Sequence, residues 1–110
     1  AYELLAPKMK SYSLNPKWRL EAVYRMGRIC QLKNLSAEAL HYFQDAWDFD
    51  LTHSDPMSCN AVLQSGLIYE SLGDYQQAED KYREVLQLKP RQYSRSLHQK
   101  AKAGLSRIQK

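Results

Sequence analysis

Three histidines, two cysteines and a cluster of aspartates are the side chains of this chain with the most chemical reach. His41, His53 and His98 are scattered, and no Cys or His stands at a metal-ligand spacing from another, whereas a zinc site needs its ligands paired at short intervals. Asp45, Asp48 and Asp50 carry enough charge for a hard cation, but a calcium loop needs a glycine turn among its acids and none is present. These acids read as a solvated helix face. The four glycines form no phosphate-cradling loop, and no nucleophile has a base and an orienting group beside it. The sequence therefore predicts no catalysis, no metal and no cofactor.

The elements that could carry any other function must come from one modest core. The chain has 110 residues and is 44% hydrophobic, the size of one domain. Its mean hydropathy is −0.65, and no stretch approaches the roughly 18 uninterrupted apolar residues of a membrane span. It starts at Ala1 and shows no signal-peptide order, so it reads as a piece of a longer protein. Cys30 and Cys59 lack the dense pattern of a disulfide scaffold and read as free buried thiols, which favours a reducing compartment and a cytoplasmic location.

The net charge of +4 hides a segregation. From Lys8 to Lys33 there are seven Lys or Arg against Glu21 alone; from Asn34 to Asp80 there are nine Asp or Glu and no Lys or Arg; from Arg91 onward there are six Lys or Arg and no acid. A folded chain of this kind presents faces of opposite sign, which bears on partners more than on fold. The basic ends raise nucleic acid as an alternative partner, but the nine uncompensated carboxylates oppose it, and protein is the expected partner.

An internal repeat organises the chain. Residues 62 to 90 contain Val62, Ser65-Gly66, Tyr69, Gly73-Asp74-Tyr75, Ala78, Tyr82 and Pro90; upstream, Val23, Met26-Gly27, Cys30, Ala39, Phe43 and Ala46 follow the same order. Gly27 precedes Ala39 by 12 residues, as Gly66 precedes Ala78. Small residues at these places let two antiparallel helices approach, while Met26, Phe43, Tyr69 and Tyr82 fill the space beside each contact. The two glycines are 39 residues apart, and the extra length is expected at Leu51 to Met57, where the second helix would run on before Asp55-Pro56. Asn15-Pro16 reads as one helix start, Ser36 as the cap of the next helix, Ser54-Asp55-Pro56 as the opening of a third that stops at Gly73, and Asp74 as the cap of a fourth. A last helix, from about Arg91 to Ile108, carries Leu97, Ala101, Leu105 and Ile108 on one face without a Gly, Ala and aromatic pattern. Tyr69, Tyr75, Tyr82 and Trp47 are expected in the core.

The pattern resembles the tetratricopeptide repeat. The resemblance implies an all-α fold, a right-handed α-solenoid of antiparallel helical hairpins. It divides the chain into the end of a preceding repeat or linker (1–14), a first hairpin (15–52), a second hairpin (53–90) and a capping helix (91–110). It also implies a module that binds a protein or peptide, acidic by charge complementarity, in a concave groove lined by the first helix of each hairpin. Carried over residue by residue, the groove positions are Tyr24, Arg25 and Arg28, with Glu21 and Gln31, on the first helix, and Asn60, Leu63, Gln64 and Leu67, with Ser71, on the third. Family members that clamp an acidic chaperone terminus use Lys, Asn and Arg where this chain has Tyr24, Arg28, Gln64, Ser94 and His98, so that activity is not expected. Self-association through an end-helix face at Ala1 to Tyr12 is a further expectation, because arrays bury such faces on a neighbour.

Overall fold

The computed structural model describes residues 16–90, 92 and 94–109. The expected preceding-repeat tail, the Ala1 to Tyr12 face and Asn15 lie outside the described residues. Five helices follow one another: α1 (Pro16–Leu32), α2 (Ser36–Phe49), α3 (Pro56–Ser71), α4 (Tyr75–Gln87) and α5 (Ser94–Ile108), with no strand among the described residues. Each helix packs on the next in sequence, and α3 also touches α1 and α5. The short turns make α1/α2 and α3/α4 antiparallel hairpins, and all-helical stacking of such hairpins is the architecture of a helical repeat.

Both hairpin turns are built the same way. Asn34 (φ 61°) and Gly73 (φ 80°) take the left-handed conformation just past α1 and α3. The next amide then reaches back five residues, Leu35 N–H to the Cys30 carbonyl at 2.9 Å and Asp74 N–H to the Tyr69 carbonyl at 2.9 Å, which closes the Schellman motif and satisfies carbonyls the helix end leaves open. The two turns stand in the same 39-residue register as Gly27 and Gly66. That register makes Leu35 the counterpart of Asp74. Asp74 does cap α4, accepting from the Gln77 amide at 3.3 Å. Ser36 does not cap α2: it is the first helical residue, and Leu35 at the cap position makes no side-chain bond.

The added residues of the first hairpin do not lengthen its second helix. α2 stops at Phe49, and residues 50 to 55 form a folded loop around Asp50. The Asp50 carboxylate accepts from the Ser58 hydroxyl at 2.5 Å, the Asp55 amide at 2.9 Å and the Thr52 hydroxyl at 2.8 Å. Partial burial alone would raise this carboxyl, but the hydrogen bonds from Ser58, Asp55 and Thr52 together outweigh it and hold it at about 2. Asp50 is therefore a structural anchor and not part of a solvated helix face. Asp55, at the α3 N-cap, accepts from the Met57 amide at 2.8 Å.

Two apolar clusters form the core. One gathers Leu20, Val23, Cys30, Phe43 and Ile68; the other gathers Cys59, Val62, Leu63, Tyr82, Val85 and Leu97. α3 lies between them and is buried on two sides, which is why its apolar residues follow no single stripe. Tyr82 is fully buried, and a Cβ placed on Gly66 or Gly104 would stand 2.8 or 2.4 Å from its ring. The last helix therefore does carry the repeat's close-packing glycine, against the reading of its sequence. The Tyr82 hydroxyl donates to Glu70 at 2.6 Å, and Arg107 of α5 pairs Glu70 through both nitrogens at 2.8 and 3.0 Å. The Arg107 hydrogen bond, above all, lowers the Glu70 carboxyl; burial and then the Glu70 hydrogen bond push the Tyr82 phenol up.

Of the four aromatics expected in the core, Tyr82 is buried, Tyr69 and Trp47 are half-buried against the second cluster, and Tyr75 lies elsewhere. Tyr75, the first residue of α4, is 55% exposed, because the helix start turns it away from α3. Trp47 is half-buried, with its ring stacked on His53 at 3.7 Å and 2° between planes. The loop residue His53 has a positive φ of 53° and completes this stack from outside the helices.

Candidate protein-docking cleft

α1, α3 and α5 bound a cleft of about 330 Å³ whose walls include Tyr24, Met57, Asn60, Leu97 and Lys100. Helical phasing explains the first wall. Val23 and Met26 bury one face of α1, and Tyr24, one residue on, turns about 100° from Val23 toward α3. The Tyr24 ring packs on Phe43 with centroids 5.9 Å apart, so its position is fixed by the hairpin. Its hydroxyl accepts a hydrogen bond from the Asn60 side chain, which joins α1 to α3. Two turns further along, Gln31 donates to the Gln64 side chain at 3.0 Å, a second bridge between the same helices.

The structure brings together some of the residues that the sequence nominates and separates others. Tyr24 and Asn60 face the same cleft. Arg25 does not line it; it pairs with Glu21 at 2.6 Å in solvent, and Arg28 sits a turn further along the helix, partly exposed. Gln64 is engaged with Gln31. Leu67 is partly buried against the second cluster. Leu63 is corrected: it is fully buried in that cluster, since the α3 face expected to line the groove also receives α5, and it offers nothing to a partner in this conformation.

Met57, Pro90, Leu97 and Lys100 complete the cleft and were not foreseen as contact residues. A signal existed for α5. Gly104 follows Gly66 by 38 residues, which places α5 as the next first helix in the array and brings its side chains to the same groove. Among the described residues, no Asp or Glu lines the cleft. Most acids of the middle segment lie on α2, on α4 and in the turns, with Glu70 of α3 paired to Arg107, while basic residues dominate α1 and α5.

Among the described residues no group of three or more His, Cys, Asp or Glu is placed to hold a metal. Cys30 and Cys59 are free and buried, and burial pushes both thiols up, away from nucleophilic chemistry. No helix among the described residues is long and apolar enough to cross a membrane.

Comparison with curated proteins and with solved structures returned no match. A family model described as tetratricopeptide repeat matches residues 61–92, the stretch that holds Gly66, Ala78 and Tyr82 in contact. The match spans most of α3 and all of α4, and in that stretch the chain is similar to a tetratricopeptide repeat.

Proposed function

We propose that the chain holds a segment of a partner protein on its α1, α3 and α5 side, with Tyr24 as a contact inside the cleft, Arg25 and Arg28 as charged contacts on α1 outside it, and no chemistry of its own. The observation that carries this reading is the cleft itself: a concave site on a repeat scaffold, with an aromatic wall at Tyr24, an amide at Asn60, a cation at Lys100 and no acid among its described lining residues. Tyr and Arg are enriched at energetic hot spots, and the planar guanidinium pairs carboxylates bidentately, so an acidic or aromatic-containing segment is the favoured guest. The four residues Asn60, Leu63, Gln64 and Leu67 enter unequally, with Asn60 as a contact and the others as supports of the α3 position.

Charge reversal tests this. Arg25→Glu with Arg28→Glu should leave helical content unchanged, since Arg25 is exposed and Arg28 partly so, yet weaken capture of an acidic partner segment by more than tenfold, about 1.4 kcal/mol. Capture that survives the double reversal at physiological salt moves the site away from the α1 arginines. A salt titration with single-stranded nucleic acid provides the contrast. Tight binding that collapses steeply with salt would favour phosphate neutralisation over protein recognition.

A further inference from the structure

The walls of the cleft are unequal in hydrogen-bonding character, and we infer that its polar corner is a seat for the side-chain carboxylate of an Asp or Glu within the partner segment, with an adjoining aliphatic side chain set on Met57 and Leu97. This deepens the proposed function and rests on the cleft being the docking site.

A count of hydrogens carries the inference. The Tyr24 hydroxyl brings one and the Asn60 amide brings two. One of the three is spent in the bond between them. Two stay unspent whichever way the amide is turned, and neither group has another hydrogen-bond partner among the described residues. The cleft is also lined by Lys100, exposed and in no ion pair among the described residues, and by Ser96. No described lining residue is acidic, and the Asp55 carboxylate accepts from the Met57 amide at 2.8 Å.

A concave corner with several donors and a cation calls for a guest that only accepts. An ionised carboxylate has that character, with two oxygens and about four lone-pair sites, and charge-assisted bonds to it are roughly twice as strong as neutral ones. Of the remaining described lining, Pro56, Met57, Pro90 and Leu97 are apolar and suit an aliphatic neighbour, and the exposed Gln92 adds an amide at the rim. A cationic guest would be repelled by Lys100, and a purely apolar one would strip water from the donors without replacing it.

The test uses the full chain and two probes, acetyl-Leu-Asp-Leu-amide and acetyl-Leu-Asn-Leu-amide, titrated while backbone amide resonances are followed. The acidic probe should bind at least tenfold more tightly than its amide twin and shift Asn60 and Lys100. Lys100→Met and Tyr24→Phe should each erase most of that preference. Equal affinity of the two probes, with shifts still at the cleft, overturns the carboxylate seat and leaves the docking reading intact. No shift at the cleft from either probe sinks both. The chain's own Glu3-Leu4-Leu5 has the same chemistry, so the titration is repeated with Glu3→Gln. Tighter probe binding by that variant would assign the seat to the chain itself, in the same or a second copy, and overturn the partner assignment.

Discussion

Gly104→Ala puts a methyl group where the Tyr82 ring already is. The added Cβ would lie 2.4 Å from Cζ and 2.5 Å from Cε2 of that ring, against the roughly 3.5 to 4.0 Å of an unstrained carbon contact. About 1 Å of retreat is needed, and the ring has nowhere to go. Gly66 closes its other face, and the hydroxyl is held by Glu70 at 2.6 Å. Overpacking of this kind costs about 1 to 3 kcal/mol, and displacing the ring also weakens a hydrogen bond to a charged group, itself about 1.5 to 3 kcal/mol. Alanine returns about 1 kcal/mol through its better helix propensity. The steric and hydrogen-bond losses win, for a net destabilisation of about 2 kcal/mol, or roughly 10 °C in a domain of this size. Urea unfolding followed by far-UV circular dichroism reads it directly. In a Tyr82→Leu background the same substitution should cost far less, since the atoms it meets are gone, giving a coupling of about 1 kcal/mol or more. If Gly104→Ala stabilises the chain, as a glycine in an uncrowded helix would when replaced, α5 does not dock on Tyr82 and the third wall of the cleft is lost.

Two further tests address the elements that hold the hairpins together. Ala78 is fully buried, so Ala78→Leu should overpack the α3/α4 contact and cost about 1 to 3 kcal/mol, while the exposed Gln76→Leu should stay within about 0.5 kcal/mol; equal shifts in melting temperature would refute the contact. Asp50, held at about 2 against an ordinary 3.8, is depressed in the folded state. Its contribution is therefore present above pH 3.8 and lost as pH falls through 2. The shift is worth about 2 kcal/mol by linkage, reduced to about 1 kcal/mol because the side chain is partly open to solvent. Asp50→Asn should lower the urea midpoint at pH 6 and lose less than the parent on acidification to pH 2; parallel pH profiles would remove Asp50 as the anchor of the loop.

The hairpins were legible because each turn of the repeat has a steric requirement that few residues meet. Gly27 under Phe43 and Gly66 under Tyr82 cannot be larger without moving a ring, and Ala39 and Ala78 share their intervals, so a list of small and aromatic positions suffices to pair the helices. The same list reaches Gly104 only through its 38-residue distance from Gly66, since the rest of α5 is polar on its open faces. Helix ends were less legible. Periodicity shows which face is buried and says little about where a helix stops, which here is decided by Asp50 gathering the Ser58, Thr52 and Asp55 donors.

Leu63 and Lys100 were missed for one shared reason. A rule of one apolar face per helix holds at the edge of an array and fails inside it, because α3 receives α1 on one side and α5 on another. Leu63 then becomes core, and Lys100, exposed on α5, becomes a wall of the cleft. The binding surface of a stacked fold is a property of three helices at once. Tyr24 and Asn60 could be proposed from their own helices by resemblance, but the cation opposite them follows only from the docking of α5. That dependence ties function to packing: whatever loosens Gly104 from Tyr82, or Arg107 from Glu70, moves Lys100 away from the Tyr24 and Asn60 donors. Arg107→Gln, which leaves every lining residue in place, should therefore weaken binding of an acidic probe at the cleft as well as lower stability. Unchanged binding in that variant would show that the cleft holds its shape without the α5 latch.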